Sequence, residues 1–204
     1  MSKIEIHDIN ELILEGYPIE YVKKLLNDIL VLSLLVKEDY PDYKEWYMNK
    51  QIPGIYDGTR NIIIAHIKDR IVGFVSLKKT SEEKKICTFY VEKTFRKNKI
   101  GTILAEKAIE YLEEEKPLIT IPMDKLNQFI KISKKYNWQI TDIKENLYRT
   151  DTPEVIVNGM IEEKNGIILP SKTLAKTYRI YKFTKITEYI KGLLNNSQIM
   201  WKNN

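Results

Sequence analysis

The chain has 204 residues, a formal net charge of +5 and 43% hydrophobic residues, enough to bury the core of one large domain. Two histidines and one cysteine exclude a structural zinc site of the usual four-ligand kind and any internal disulfide, so we predict no metal and a reducing, cytoplasmic location. No apolar stretch is long enough to span a bilayer, the N-terminus lacks a signal-peptide pattern, and the glycine strings of nucleotide hydrolases and dinucleotide enzymes are missing.

Two helices and a loop are predicted in the N-terminal quarter. Apolar residues recur at helical spacing over residues 19–36, and residues 41–50 form a second, short segment rich in aromatic side chains. Residues 52–60 contain one proline and two glycines, which predicts a loop suited to closing over a site.

Several strands are expected after this region. Residues 61–67 and 71–78 are apolar runs separated by three charged residues, which is the pattern of a hairpin. Further strand candidates are residues 86–91, 118–122, 139–147 and 154–157.

The segment from Phe89 to Leu104 is the most informative part of the chain, because it joins a strand to a helix through a short basic loop. The hydrophobic period changes from two to 3.6 residues across it. The first amides of a helix lack internal acceptors and lie at the positive end of its dipole, and Gly101 lets a ligand approach the main chain. A pyrophosphate suits this arrangement, although a solvated basic turn followed by an ordinary helix remains an alternative.

A further helix is predicted after the strand at residues 118–122. Asp124 can cap its N-terminus, and apolar residues at helical spacing lead to Ser133 before the helix ends near Asn137.

The order of strand, basic loop, helix, strand and helix over residues 61–159 resembles the GNAT superfamily of acyl-CoA-dependent N-acetyltransferases. That family's loop has the form [Q/R]-x-x-G-x-[G/A]; here Arg96 takes the first position and Gly101 the last, while Lys99 replaces the middle glycine. A lysine there leaves an amide to donate but restricts the backbone. The resemblance implies a mixed α/β fold with a mostly antiparallel central sheet, splayed at the cofactor strand and flanked by helices.

Acetyl-CoA is the co-substrate that the resemblance implies. The strand before the loop would offer main-chain groups to pantetheine, and the loop amides would hold the diphosphate. The cofactor-binding residues implied in this way are Phe89, Val91, Arg96, Lys97, Asn98, Lys99, Gly101 and Thr102.

The family's second motif places a tyrosine four residues before a Gly-Phe pair, where it protonates the leaving thiolate. Here Asn137 and Trp138 stand for that pair, which puts Ser133 at the tyrosine position, with Tyr136 one turn further on. Glu92, at the end of the strand, is the candidate general base. The alternative is that all three are ordinary helix or surface residues.

The N-terminal helices of family members wall the acceptor cleft, and by resemblance Tyr43, Trp46 and Tyr47 contact the acceptor. The alternative is that these aromatic side chains belong to the core.

The positive charge is concentrated at the C-terminal end. From Lys164 onward there are eight Lys or Arg and one Glu, whereas residues 1–163 hold 25 basic and 27 acidic residues. We therefore divide the chain into an acyltransferase domain at residues 1–159 and a basic extension at residues 160–204 that packs on or completes it. Aromatic residues interleaved with these lysines suggest an RNA or tRNA contact, with simple packing on the core as the alternative.

The predicted function is therefore transfer of an acetyl group from acetyl-CoA to a primary amine by direct attack. A small amine, a protein amine and an aminoacyl-tRNA are all open as acceptors. Because Lys99 and Ser133 depart from the family pattern, a non-catalytic module that binds acyl-CoA or nucleic acid is carried as the alternative.

Overall fold

The computed structural model of the protein describes residues 3–33 and 40–161. The basic extension predicted at residues 160–204 therefore lies almost entirely outside the described residues, as do residues 34–39. In chain order the described elements are β1 Ile4–Asp8, α1 Ile9–Leu14, α2 Ile19–Ser33, α3 Tyr43–Trp46, α4 Ile52–Tyr56, β2 Arg60–Ile67, β3 Arg70–Lys79, β4 Lys84–Val91, α5 Ile100–Leu112, β5 Leu118–Pro122, α6 Ile130–Lys135, β6 Ile140–Lys144 and β7 Glu154–Val157.

The seven strands form one sheet in the order β1-β2-β3-β4-β5-β7-β6. Each neighbouring pair is antiparallel except β4 and β5, which run parallel. The parallel connection passes through α5, as a crossover between parallel strands requires. The prediction of a mixed, mostly antiparallel sheet flanked by helices is thus confirmed.

The two faces of the sheet pack against different helices. Ile62, Ile64 and Phe74 belong to a buried cluster with α1, α2 and the aromatic turns that follow. Gly73, which precedes Phe74 on β3, faces α5, since a Cβ there would lie 3.1 Å from Leu104. Because side chains alternate across a strand, β2 and β3 are buried on both faces, which explains their nearly continuous apolar sequences.

The N-terminal strand and helix were not predicted from the sequence. β1 is a short alternating strand that adds to the sheet beside β2, and α1 follows it at once. The side chain of Asp8 caps α1 by accepting hydrogen bonds from the backbone N–H groups of Asn10 and Glu11. An aspartate followed by an apolar helical pattern is a signal that could have revealed this cap.

Two sequence predictions about helices were wrong. The predicted loop at residues 52–60 begins instead with helix α4, which continues directly from a π-helical turn at Tyr47–Gln51 and carries Pro53 in its first turn, where proline is tolerated. Asp124 does not cap a helix, because Met123–Phe129 is a 3-10 segment and α6 starts only at Ile130. The Met123 N–H donates to the carbonyl of Pro153, which ties this segment to the strand beyond it.

Two buried tyrosines of the N-terminal cluster provide a matched test of its packing. Tyr47 donates from its hydroxyl to the Leu26 carbonyl at 2.9 Å, whereas the Tyr43 hydroxyl is buried without a partner of hydrogen-bond geometry among the described residues. We expect Tyr47→Phe to lower the free energy of unfolding by about 0.5–1.5 kcal/mol, because a buried hydrogen bond is lost. Tyr43→Phe should leave stability unchanged or raise it, and urea unfolding followed by circular dichroism would measure both. Equal losses in the two variants would contradict this account.

Candidate active site

A gap opens in the sheet between β4 and β5. The two strands pair only at Lys85–Leu118 and Ile86–Ile119, near their starts, and separate beyond these positions. β5 remains paired with β7 along its other edge, so only its β4 side is open. The result is a cleft that is closed near Ile86 and open near Val91.

A β-bulge in β4 coincides with the closed end of this gap. Ser76 of β3 pairs with Thr88 and Leu77 pairs with Ile86, which leaves Cys87 as the extra residue. A bulge increases the local twist and bends its strand. The bend thus begins where β4 leaves β5, and it accounts for the splay that the sequence predicted at this strand.

The register shows which main-chain groups of β4 face the gap. The Glu92 N–H donates to the Val72 carbonyl at 2.9 Å, and Val91 lies opposite Gly73 in the next pair. Because hydrogen-bonded and non-hydrogen-bonded pairs alternate in an antiparallel ladder, the N–H and C=O groups of Val91 and Phe89 point away from β3. The Val91 carbonyl indeed accepts a bond from Arg96 Nε at 3.0 Å.

The loop after β4 presents free amides at the open end of the gap. Lys97 and Lys99 both adopt left-handed backbone conformations, with φ of 69° and 63°, on either side of Asn98. Such alternation turns successive N–H groups toward one concavity that favours anions. Lys99 is the N-cap of α5 and makes no side-chain cap, and the first helical bond is donated by Ile103.

Three amides at the start of α5 therefore have no acceptor within the helix. They belong to Ile100, Gly101 and Thr102, and they lie at the positive end of the helix dipole. The side chains of Arg96, Lys97 and Lys99 are exposed around them.

Gly101 leaves space between α5 and β4. A Cβ on Gly101 would lie 3.8 Å from both Phe89 and Val91, which is ordinary van der Waals contact, so the fold itself does not require a glycine. At Gly73, by contrast, a Cβ would lie 2.9 Å from the carbonyl oxygen of Tyr90, and the packing needs the glycine. The backbone of Gly101 is thus open to close approach by a ligand.

Helix α6 and the turn before it cover the gap on the side of α5. The ring of Phe129 contacts the ring of Phe89 edge-on, with 5.5 Å between centroids. Trp138 Nε1 donates to the carbonyl of Glu115 just before β5, so α6 runs back toward the closed end of the gap. Ser133 follows Phe129 by one turn on the same helix face, and therefore lies nearer the closed end.

Tyr136 lies at the end of α6, beyond Ser133. Its ring is under the ammonium group of Lys135 at 5.1 Å, and its centroid is 6.3 Å from that of Trp138. Lys135 also pairs with Glu106 of α5. The tyrosine thus lies beside the lysine that joins α6 to α5.

Glu92 lies at the opposite, open end of β4. Its Oε1 accepts hydrogen bonds from Arg70 at 2.6 Å and from Thr94 at 2.8 Å. Five residues of extended strand, roughly 16 Å, separate it from the bulge at Cys87. The structure therefore does not bring Glu92 together with Ser133.

The N-terminal helices bring a group of buried hydroxyls to the other face of β4. The hydroxyls of Thr88, Ser76 and Ser33 lie close enough to Tyr43 to act on its pKa, but none bonds its oxygen with good geometry. Burial raises the pKa of the Tyr43 phenol to about 12, so it stays protonated at neutral pH. Sequence reasoning missed this group, although Ser76 and Thr88 are conspicuous as polar residues on apolar strands.

Two of the three residues of the predicted aromatic wall belong to the core. Tyr43 and Tyr47 are 5% and 1% exposed and belong to the core. Trp46 is only partly buried, and the guanidinium of Arg60 lies over its ring at 5.4 Å. Arg60 is a second residue that sequence reasoning did not single out.

Cys87 is poorly suited to nucleophilic chemistry. Burial raises the pKa of its thiol, with the guanidinium of Arg60 acting in the opposite direction. A thiol held in its neutral form is a weak nucleophile, which disfavours a covalent acyl-cysteine intermediate.

Within the described ranges, no group of three or more histidine, cysteine or carboxylate side chains is arranged to hold a metal ion. No helix in those ranges is long and apolar enough to cross a bilayer.

Comparison with known proteins identifies the family. Residues 19–125, which are 107 of the 204 residues, match the model of the acetyltransferase (GNAT) family. No curated protein matches the sequence.

The solved structures that this chain matches have low sequence identity to it. A nourseothricin acetyltransferase is 13% identical, with a TM-score of 0.45, over 50% of this chain and 65% of its own length. A GNAT-family protein from Desulfovibrio desulfuricans is 8% identical, with a TM-score of 0.49, over 76% of this chain and 97% of its own. An acetyltransferase from Bacillus subtilis, solved with CoA, is 18% identical, with a TM-score of 0.42, over 53% of this chain and 81% of its own. The chain thus spans just under two thirds of the first of these structures.

The left-handed backbone at Lys99 provides a test of the loop geometry. A side chain in that conformation costs about 1 kcal/mol, which glycine avoids. We expect Lys99→Gly to raise the free energy of unfolding by roughly 0.5–1 kcal/mol in urea titrations. Lys93→Gly, which removes the same charge from the 3-10 turn at Lys93–Phe95, should instead lower it. A loss of stability in Lys99→Gly would show that the loop does not have this conformation.

Proposed function

This chain belongs to the GNAT acetyltransferase family, and on that premise we propose that it transfers an acetyl group from acetyl-CoA to a primary amine. The amine attacks the thioester directly. The observation that carries the proposal is the gap between β4 and β5, which has three unbonded amides at its open end and outward-facing strand groups along its edge.

The diphosphate of acetyl-CoA is held at the loop between Arg96 and Thr102. The amides of Ile100, Gly101 and Thr102 donate to its oxygens, and the left-handed backbone at Lys99 keeps a further amide turned toward them. The cations of Lys97 and Lys99 add long-range attraction. The Arg96 side chain instead binds the strand before the loop, because it donates to the Val91 carbonyl.

Pantetheine runs from this loop into the gap and bonds the free edge of β4 at Val91 and Phe89, as an added strand would. The thioester is at the opposite end of the cofactor from the diphosphate. It therefore lies toward the closed end of the gap, near the bulge at Cys87.

The acceptor approaches from the face covered by α1–α4. Its nitrogen attacks the carbonyl carbon, the carbon–sulfur bond breaks, and CoA leaves as a thiolate that takes a proton while the amine releases one to water. Ser133 is the proposed proton donor, because α6 runs back toward the closed end of the gap. Glu92 is engaged by Arg70 at the far end of β4, so the base role predicted for it receives no support from its position.

The identity of the acceptor is also part of the proposal: a small amine, a protein amine and an aminoacyl-tRNA all present a suitable nitrogen. A cytoplasmic location agrees with the single cysteine. The predicted RNA contact falls on the basic extension, outside the described residues.

Gly101 provides a test of diphosphate binding. We expect Gly101→Ala to weaken acetyl-CoA binding about tenfold in calorimetry, because its methyl group would hold the diphosphate away from the amides at the start of α5. The free energy of unfolding should stay the same or rise slightly, since alanine favours the helix and meets no clash.

The matched control for this experiment is a shorter ligand. Acetylpantetheine lacks the diphosphate, so wild type should bind it far more weakly than acetyl-CoA, and Gly101→Ala should lose little further affinity for it. Unchanged affinity of Gly101→Ala for acetyl-CoA would contradict the proposed binding mode, and no affinity of the wild-type chain for acetyl-CoA would overturn the function itself.

Ser133 and Tyr136 can be compared as proton donors. We expect Ser133→Ala to lower kcat about 10- to 100-fold, with a smaller change in KM for acetyl-CoA, because the leaving thiolate loses its donor. Tyr136→Phe should remain close to wild type, since phenylalanine keeps the ring that packs beside Lys135 and Trp138. Thiol release gives both rates. If both variants keep the wild-type kcat, the proton comes from water and the role given to Ser133 is wrong.

A further inference from the structure

We propose that Arg60 binds a carboxylate on the acceptor, so that the preferred acceptors are small amines that also carry a carboxylate, such as amino acids. This inference rests on the proposed function, since it names the substrate class of the same site.

The side chain of Arg60 occupies space that is left by the absence of a side chain at Gly54. Arg60 is the first residue of β2, and its aliphatic stem lies against Gly54 of α4. A Cβ on Gly54 would lie 2.5 Å from Arg60 Cδ and 2.7 Å from Cγ, which no packing tolerates. The backbone of Gly54 is not left-handed and would accept any residue, so it is the arginine that excludes a side chain there.

The guanidinium at the end of this side chain has few and weak partners. Its Nη1 lies 3.4 Å from Gln51 Oε1 and 3.5 Å from Cys87 Sγ, and its carbon lies over the ring of Trp46. Among the described residues no carboxylate forms an ion pair with it; the nearby Asp57 carboxyl accepts from Thr59, which lowers its pKa more than the charge of Arg60 does. A guanidinium has five donors, and among the described residues the amide and the thiol engage Nη1 only, so the other donors can bind a ligand.

The neighbours of the guanidinium are fixed in position. Gln51 is fully buried and donates from Nε2 to the Asn61 carbonyl at 3.0 Å, which leaves its Oε1 directed at Arg60. Trp46 supplies a flat apolar surface on which a guanidinium stacks favourably. The charge is therefore held in a defined orientation before any ligand arrives.

The position of the guanidinium relative to the gap indicates its ligand. Cys87 is the bulged residue at the closed end of the gap, where the thioester is expected, and Arg60 reaches it from the face of the N-terminal helices. A planar guanidinium matches a carboxylate through two parallel hydrogen bonds. An amine that carries a carboxylate would thus be held by Arg60 with its nitrogen free to attack.

Pairs of acceptors that differ only in the carboxylate provide the test. Thiol release from acetyl-CoA by the full chain would be measured with lysine against cadaverine and with phenylalanine against phenethylamine. We expect wild type to favour the amino acid of each pair in kcat/KM by on the order of 10- to 100-fold, the range for a charged hydrogen-bonded pair. Phosphoethanolamine against β-alanine distinguishes a phosphate from a carboxylate site, and we expect β-alanine to be preferred.

Substitutions then assign the preference to Arg60. Arg60→Gln should abolish it, mainly by raising KM for the amino acid, while rates with cadaverine and phenethylamine stay unchanged. Arg60→Lys should retain part of it, and Gly54→Ala should reduce it as Arg60→Gln does, because the new methyl group displaces the arginine stem. Lys23→Gln is the control for charge, since Lys23 is an exposed residue of α2 that pairs with Glu20 on the same helix.

The outcomes separate this inference from the function on which it rests. Turnover without a preference for the carboxylate, or equal losses with both members of a pair in Arg60→Gln, would overturn the inference alone. A preference for phosphoethanolamine over β-alanine would assign the site to phosphate instead and overturn the carboxylate. No acetyl-CoA binding in calorimetry and no thiol release with any amine would overturn the proposed function and the inference together. Urea unfolding of each variant shows whether a loss of rate is a loss of folded protein.

Discussion

The loss of pairing between β4 and β5 beyond Ile86 is the constraint on which the site depends. A bulge at Cys87 bends β4 at the point where its last pair with β5 is made, and from there the main-chain groups of Phe89 and Val91 have no strand to bond. Backbone groups withdrawn from water need partners, and the structure supplies one of them by directing Arg96 to the Val91 carbonyl. An extended ligand with amide groups, such as pantetheine, would complete the remaining edge as a neighbouring strand does.

Both faces of the sheet contribute residues around β4. On one face, α5 and α6 border the gap, and the amides at the start of α5 lie at its open end. On the other face, helices α1–α4 surround a set of buried hydroxyls and the guanidinium of Arg60, which reaches across β3 to the bulge. Since both faces meet at Cys87, a cofactor from one side and an acceptor from the other can be brought to one point without sharing a channel. Gly54 belongs to this arrangement, because its missing side chain is what lets Arg60 cross.

The loop at the open end of the gap contains two backbone conformations that are unfavourable for lysine. Lys97 and Lys99 hold left-handed backbone conformations that glycine would adopt freely, and each costs on the order of 1 kcal/mol. The gain is two cations beside the amides at the start of α5, in a conformation that still turns those amides toward one concavity.

The sequence by itself determined the order of the central elements and the location of the join at residues 89–104, because hydrophobic period, charge and glycine placement are local properties that act before the chain folds. It also predicted the mixed sheet and its splay, through the resemblance that this join carries. Only the tertiary structure decided which residues meet at the bulge. The register shift at Cys87, the approach of Arg60 to it, and the separation of Glu92 from Ser133 all depend on pairings between segments distant along the chain. Those pairings are set by the packing of both sheet faces at once, which no local pattern encodes.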